Sequence, residues 1–210
     1  AEVEAAVSKA ISTYGSEMMD GLRSKGWWAS SKPVLPKRIR RQMRAEVEKL
    51  WEEGHFEISQ SVRGFEYYDK KNVYAAEIDG GKYDVAPQFC HYTVQATKEL
   101  TKVVAAAFPE VELSSAFVGN KLNFCVGNGA SFDAHLDVGV AEKPFNRKLT
   151  LLVYFNPKWR SQLGGEIELL GEGATEESAA ADASRSAAGL PKALAPRDGR
   201  WVAFWSDRML

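Results

Sequence analysis

The sequence predicts an α+β fold in which N-terminal helices back a β-sandwich or β-barrel. In the first half of the chain, apolar residues recur at steps of three and four, which is the spacing of amphipathic helices. From about Ala116 onward, short apolar runs alternate with Gly, Asn, Asp and Pro, which is typical of short strands joined by turns. Helices followed by strands indicate a sheet covered by helices on one face.

Three segments are predicted to be helices: 3–22, which Gly26 breaks, 36–54, which Pro36 opens and Gly54 closes, and 92–108. Each has one apolar face that we expect to point inward. The predicted inward residues are Val3, Val7, Ile11, Tyr14, Met18 and Leu22, then Ile39, Met43, Val47, Leu50 and Trp51, then Val94, Leu100 and Val104.

Seven short runs are predicted to be strands because they are apolar and bounded by turn residues. They are 65–68, 73–78, 117–126, 131–137, 149–156, 166–170 and 201–205. The run 147–156 is apolar on both faces, which favours a central strand. We expect one integrated domain with a helical and short-strand support region over 1–115 and a core over 116–210. The Ala-, Ser- and Glu-rich segment 171–196 is expected to be a mobile loop.

Composition limits the class of protein. The 210 residues include 27 basic and 28 acidic side chains, and this near-neutral balance argues against a nucleic-acid binder. No apolar run approaches the roughly 20 residues of a membrane span, so no membrane partner is expected. The two cysteines, Cys90 and Cys125, indicate reduced thiols and an intracellular protein, cytoplasmic or nuclear. The chain begins without Met, so the possibility that a targeting segment has been cleaved off stays open.

The short motif His135-Leu136-Asp137 is the first candidate site. On a strand, side chains two positions apart point to the same face, so His135 and Asp137 are predicted to lie side by side. Two histidines and one carboxylate hold the metal of non-haem iron enzymes and leave three positions open. His-X-Asp alone is a weak signal, and the surrounding motifs give it weight.

Four further motifs surround this pair in a fixed order. They are Gly127-Asn128-Gly129 before it, then Tyr154-Phe155-Asn156 with Trp159, Gly164-Gly165, and Phe204-Trp205-Ser206-Asp207-Arg208. This order resembles the Fe(II)- and 2-oxoglutarate-dependent oxygenases, and among them the prolyl 4-hydroxylases of the hypoxia-inducible-factor prolyl hydroxylase type, with their bacterial and protist relatives. The resemblance is strongest over 121–207 and looser back to Gly26.

The resemblance implies a double-stranded β-helix, or jelly roll, backed by N-terminal helices. It implies that His135 and Asp137 are metal ligands and catalytic residues, and that Tyr154 binds the far carboxylate of 2-oxoglutarate. Thr150 and Leu152 share the strand face of Tyr154 and are expected to line the same pocket. Cys125 stands where the family often has a cosubstrate-binding tyrosine, and an apolar filler is the favoured role for it.

The family's second histidine follows Ser-Asp-Arg, and a basic residue that clamps the cosubstrate stands on a later strand. The sequence ends at Leu210, so we expect both residues, and the closing strands, to lie beyond it. The implied cofactors are Fe(II), 2-oxoglutarate and O2, with ascorbate as a further candidate.

The implied reaction is hydroxylation of prolyl residues in a protein or peptide by a monomeric enzyme. Segments 65–84 and 138–146 are the expected covers of the substrate. Two alternatives stay open: a 2-oxoglutarate oxygenase acting on a small molecule or another side chain, and a non-catalytic jelly-roll binding module that lacks the distal histidine.

Overall fold

Three helices pack on one face of a small antiparallel sheet in the computed structural model, which describes residues 2–63, 66–114, 119–137, 147–170 and 193–207. The helices are α1 (Glu2–Lys25), α2 (Lys37–Glu52) and α3 (Pro87–Ala107), as the periodicity predicted. In the described ranges, no helix combines the length and the apolarity needed to cross a membrane.

Helix α3 begins earlier than predicted, at Pro87 rather than Tyr92, because proline is well suited to the first helical turn. Leu100 and Val104 are buried as expected, but the inward placement of Val94 is wrong, since 66% of it is exposed. The buried stripe runs through Phe89, Tyr92, Ala96, Leu100 and Val104, and Val94 lies on the opposite side of that stripe. On α2, Trp51 is likewise 41% exposed at the helix end.

The sheet under the helices contains β1 (Trp27–Ala29), β5 (Leu149–Val153) and β6 (Trp201–Trp205) in the order β1-β6-β5. The 201–205 strand is confirmed and the 149–156 strand is shorter than predicted. The run 147–156 was predicted to be a central strand, but among the described strands β5 lies at the edge of this sheet. The central strand is β6, which pairs with β1 on one side and β5 on the other and is buried throughout. β1 was not predicted, because three residues are too few to show a period.

A second antiparallel sheet contains β2 (Glu57–Arg63), β3 (Glu66–Glu77) and β4 (Lys121–Cys125) in that order. The two strands predicted at 65–68 and 73–78 are one strand, β3, which continues through Asn72 at a φ of 57°. β2 was missed because its sequence is polar, and its partner is supplied by β3. The strand predicted at 117–126 is confirmed over β4.

Two predicted strands are not strands in the described structure. Residues 131–137 form no ladder there, and residues 166–170 make only a bridge between Ile167 and Leu194. The segment 131–137 makes a local side-chain contact instead, between the His135 ring and the carbonyl oxygen of Asp133. Most of the predicted loop 171–196, namely 171–192, lies outside the described residues, as does the predicted cover 138–146.

The two faces of β6 have different neighbours. Trp201, Ala203 and Trp205 belong to the core shared with the helices, and Tyr92 of α3 meets Trp201 edge to face at 6.1 Å. Val202 and Phe204 form a second apolar cluster with Leu169. Leu152 of β5 and Tyr154, just after β5, pack against this cluster. The face away from the helices is therefore the one on which the predicted site residues Leu152 and Tyr154 lie.

The start of α3 is capped by a side chain from another helix. Glu46 of α2 accepts hydrogen bonds from the backbone N–H groups of Gln88, at 2.8 Å, and Phe89, at 3.1 Å. The first N–H groups of a helix have no partner within it, and the preceding Ala86 has no side-chain acceptor. We expect Glu46→Ala to lower the free energy of unfolding by about 2 kcal/mol, since it removes a cap from N–H groups in a largely buried place.

Urea denaturation measures this effect, and Glu48→Ala is the matched control on the same helix. Glu48 is exposed and pairs with Arg44 one turn away, so its loss should change stability by less than about 0.5 kcal/mol. Equal losses in the two variants would contradict the capping role.

Stability should also depend on pH through Glu46. Burial raises the pKa of Glu46 above its usual 4.5, although the two backbone N–H groups oppose the shift. The folded state therefore holds this proton more tightly than the unfolded state, and the resulting stabilisation is full below pH 4.5 and is lost as the pH rises through the folded-state pKa. The side chain of Glu46→Gln cannot titrate, so this variant is the reference. The free energy of unfolding of the wild type minus that of the variant should fall as the pH rises from 4.5 through the folded-state pKa. Urea denaturation at several pH values measures this difference. A difference that is flat or rises with pH would contradict this assignment.

Candidate metal centre

A tight turn brings the chain from β4 into the segment that carries His135 and Asp137. Gly127, Asn128 and Gly129 all have positive φ, between 52° and 82°, a conformation that Gly and Asn adopt most readily. The turn is tied to β3, because the side-chain amide of Asn72 donates to the carbonyl of Asn128 at 3.0 Å. This turn fixes where the candidate ligand segment starts.

The His135 ring is oriented by the backbone two residues before it. Its Nδ1 lies 2.6 Å from the carbonyl oxygen of Asp133. A carbonyl only accepts, so Nδ1 carries a hydrogen. Nε2 can donate to a carboxylate only when the ring is protonated, and in the neutral ring it keeps a lone pair that can bind a metal. Nε2 lies 3.5 Å from Oδ1 of Asp137. The two side chains predicted to lie together do so, although a compact loop, not a strand, holds them.

The Asp137 carboxylate has a different neighbour for each oxygen. Oδ2 accepts a hydrogen bond from the Thr150 hydroxyl at 2.8 Å, and Oδ1 lies 3.2 Å from the Arg147 guanidinium. Burial raises the pKa of Asp137, but the hydrogen bonds from His135 and Thr150 and the charge of Arg147 outweigh it, so the net pKa is lowered. This carboxyl group is therefore ionised at neutral pH.

The pKa of His135 is raised above its ordinary value, chiefly by the hydrogen bond to Asp137, while burial opposes the shift. An imidazole binds a metal only in its neutral form, so the raised pKa means that protons compete more strongly with a metal for this ring. A neutral imidazole nitrogen beside an ionised carboxylate is a donor set that suits a divalent first-row metal such as Fe(II).

The three predicted residues around β5 occupy the face away from the helices, as strand parity predicted for them. Thr150 is buried and contacts Asp137 directly. Leu152 and Tyr154 pack in the apolar cluster beside Val202 and Phe204. Burial raises the pKa of Tyr154 to about 12, so its phenol stays protonated and can donate a hydrogen bond. The described hydrogen bonds link Thr150, but not Leu152 or Tyr154, to the His135–Asp137 pair.

Cys125 lies at the end of β4, opposite Val73 of β3, and is exposed. Its thiol is free, as is that of Cys90. Three neighbours of the site were not singled out from the sequence: Arg147, Ser206 and Lys70. Arg147 and Ser206 stand within motifs quoted above, so their position in the sequence was a usable signal.

Lys70 could not have been found from the sequence, because only the pairing of β3 with β4 brings it near the site. Its Nζ lies 4.4 Å from the ring centre of Phe132, three residues before His135. Burial lowers the pKa of Lys70, and the charges of Asp137 and Asp133 partly restore it. The candidate centre thus has a half-buried cation beside it.

No third ligand joins the pair among the residues that the structure describes, where no group of three His, Cys, Asp or Glu side chains could hold a metal. The other two histidines are engaged elsewhere. His55 contacts Glu53, and His91 bridges Glu4 and Tyr83. The described part therefore offers two ligands, His135 and Asp137.

Part of the chain is similar to a known protein family. Residues 121–210 match the model of the 2OG-Fe(II) oxygenase superfamily. No curated protein gives a significant match to the chain. Among solved structures, a Pseudomonas putida prolyl-4-hydroxylase is 20% identical with a TM-score of 0.65, over 92% of this chain and 87% of that one.

Two further solved structures are similar. A prolyl 4-hydroxylase from Phytophthora capsici is 21% identical with a TM-score of 0.68, and this chain, matched over its whole length, spans 59% of that protein. A Trichoplax adhaerens prolyl hydroxylase, solved with a peptide fragment of the hypoxia inducible factor oxygen degradation domain, is 20% identical with a TM-score of 0.60, over 93% of this chain and 80% of that one. Residues 121–210 therefore match the 2OG-Fe(II) oxygenase superfamily, and the overall fold of the chain is the one found in these prolyl hydroxylases.

Proposed function

We propose that this protein is an Fe(II)- and 2-oxoglutarate-dependent dioxygenase that hydroxylates prolyl residues in a protein or peptide substrate. The observation that carries the proposal is the pairing of His135 Nε2 with Asp137 Oδ1 at 3.5 Å inside a segment that matches this oxygenase superfamily. The prolyl substrate is supported by the three structural neighbours named above, each of which is a prolyl hydroxylase.

In this proposal residues 116–210 form the catalytic core, a jelly roll, and residues 1–115 support it within one integrated domain. Both described sheets combine strands from the two regions, since β1 pairs with β6 and β3 with β4. Such pairing favours a single folding unit over two independent ones.

His135 and Asp137 would hold Fe(II) together with a second histidine, a third ligand that the described residues do not supply. The bound iron supplies activation of O2, coupled to conversion of 2-oxoglutarate to succinate and CO2 and to insertion of one oxygen atom into a C–H bond of the substrate. Ascorbate is proposed as the reductant that keeps the metal in the Fe(II) state.

The chain's own residues bind and orient the reactants. Tyr154 would donate its phenol hydrogen to the far carboxylate of 2-oxoglutarate, a role that its pKa of about 12 permits. Leu152 and Thr150 would line the same pocket, and Cys125 would stand at its edge, in the position where relatives often place a tyrosine. Tyr154 is held by its backbone, which donates to the carbonyl of Arg200 at 3.1 Å and accepts from the N–H of Gly199 at 2.7 Å.

The test is turnover of 2-oxoglutarate by the full-length protein loaded with Fe(II), measured as succinate released under air. Peptides that contain proline should stimulate succinate release and gain the mass of one oxygen atom. The matched control is each peptide with alanine in place of proline, which should leave succinate release at the background rate.

Other outcomes would each contradict a definite part of the proposal. Stimulation by small molecules or by the alanine peptides, but not by proline peptides, would overturn the substrate assignment and retain the oxygenase. Failure to bind Fe(II) or to consume 2-oxoglutarate with any compound would overturn the enzyme itself and favour a binding module.

A further inference from the structure

A chain of two buried hydroxyl groups leads from the end of β6 to the Asp137 carboxylate. The Ser206 and Thr150 side-chain oxygens are 2.8 Å apart, and Thr150 Oγ1 lies 2.8 Å from Asp137 Oδ2. Ser206 is 0% exposed and Thr150 is 8% exposed. Water therefore has little access to either hydroxyl, and their partners are set by the fold.

The chemistry of the groups fixes the direction of these hydrogen bonds. An ionised carboxylate only accepts, so the single hydroxyl hydrogen of Thr150 points to Asp137. Thr150 then has no hydrogen left for Ser206, so Ser206 donates to Thr150. A donor whose own oxygen accepts a hydrogen bond is polarised and becomes a stronger donor.

The far end of this chain is anchored in the sheet. Ser206 follows β6 directly, and its backbone N–H donates to the carbonyl of Lys148 at 2.9 Å. Thr150 lies on β5, where it is paired with Phe204 of β6. Asp137 itself lies in a loop, so the two hydroxyls connect a loop carboxylate to the sheet.

The two oxygens of Asp137 are held very differently. Oδ2 is held by the buried Thr150, whereas Oδ1 meets His135 and the half-exposed side chain of Arg147. A long exposed side chain moves away readily, and its ion pair contributes little to stability. The buried hydroxyl thus fixes Oδ2 and leaves Oδ1 as the oxygen that can accept a cation.

We propose that Thr150 and Ser206 are positioning residues that hold Asp137 through Oδ2, so that Oδ1 stays beside Nε2 of His135 as a metal ligand. This inference rests on the proposed function and deepens it. It gives Thr150 a role toward the metal ligand that is separate from lining the 2-oxoglutarate pocket. Groups that hydrogen-bond a metal ligand typically change metal affinity by about 10- to 100-fold when they are removed.

The test compares Thr150→Val, which keeps the shape and removes the hydroxyl, with Thr150→Ser, which keeps the hydroxyl. Mn²⁺ is titrated into the full-length protein without 2-oxoglutarate, and free Mn²⁺ is followed by electron paramagnetic resonance. Thr150→Val should weaken Mn²⁺ binding about 10-fold, and Thr150→Ser should stay within about 3-fold of the wild type. Because no 2-oxoglutarate is present, a role limited to lining its pocket would not change this affinity.

Ser206→Ala provides a second variant in case Thr150→Val does not fold. It removes the donor to Thr150 and should weaken Mn²⁺ binding by about 3-fold, a smaller effect because Thr150 still contacts Asp137. Thermal melting of each metal-free variant separates loss of folding from loss of affinity.

The inference is overturned if folded Thr150→Val binds Mn²⁺ as tightly as Thr150→Ser, or if it changes only the KM for 2-oxoglutarate. It is also overturned if Ser206→Ala leaves the affinity unchanged and Thr150→Ser weakens it as much as Thr150→Val. A wild type whose Mn²⁺ binding does not depend on Asp137 would instead remove the proposed function, and with it this inference.

Discussion

Asp137→Asn is expected to weaken Mn²⁺ or Fe(II) binding by more than about 100-fold and to reduce 2-oxoglutarate turnover to background. The effect should exceed the 10- to 100-fold change typical of groups that only orient a ligand, because the substitution replaces the anionic ligand itself by a neutral amide. Asparagine keeps the size of the side chain and can still accept from Thr150, which holds Asp137 Oδ2 at 2.8 Å. The measurements are metal titration and succinate release.

Asp20→Asn is the control for loss of one carboxylate. Asp20 is an exposed residue of α1 that pairs with Arg23, and its substitution should leave metal affinity unchanged. The melting temperature of metal-free Asp137→Asn checks that the variant is folded. If this folded variant still binds metal within about 3-fold of the wild type, the candidate centre is wrong, because loss of an anionic ligand costs more than loss of a group that only orients one.

The proximity of His135 and Asp137 could be predicted from the sequence even though their secondary structure could not. Two side chains only two positions apart meet either in a strand or in a loop that is folded back on itself. Here the bond from the His135 ring to the carbonyl of Asp133 is also local, so it forms without any distant partner. The assignment of a strand failed because strand formation depends on a neighbouring strand, and none pairs with 131–137 in the described structure.

The parts of the site that the sequence did not reveal depend on distant pairing. Lys70 reaches the site because β3 pairs with β4, and Ser206 because β6 pairs with β5. β6 was predicted from its apolar run, but its central place depends on β1, whose Trp27 pairs with Phe204. Periodicity reports which face of an element is apolar, and it carries no information about which elements become neighbours.

Gly199→Ala is expected to destabilise the fold by about 3 kcal/mol, because two separate costs add at this position. Gly199 has a φ of +77°, which a residue with a Cβ adopts only with strain. An added Cβ would also lie 2.8 Å from Cβ of Pro33 and 2.7 Å from Cδ of Arg40. The proline ring cannot move aside locally, so the backbone would have to shift.

Arg40 is similarly unable to withdraw without loss. Its side chain is only 11% exposed, and its guanidinium pairs with Asp198 at 2.9 Å and donates to the carbonyl of Leu35 at 2.8 Å. Gly199 itself accepts from the N–H of Val34 and donates to the carbonyl of Tyr154. A shift at Gly199 would therefore move the start of β6 and the backbone that holds Tyr154.

Gly54→Ala separates the two costs. Gly54 follows α2 with a φ of +75°, nearly the same as that of Gly199, but an added Cβ there meets nothing within 4 Å. It should therefore cost about 1 kcal/mol, the backbone strain alone. Urea denaturation of the two variants measures the difference, and 2-oxoglutarate titration reports on Tyr154. Equal losses of stability would mean that the contact with Pro33 and Arg40 is relieved without cost. An unchanged 2-oxoglutarate affinity in Gly199→Ala would mean that this turn does not position Tyr154.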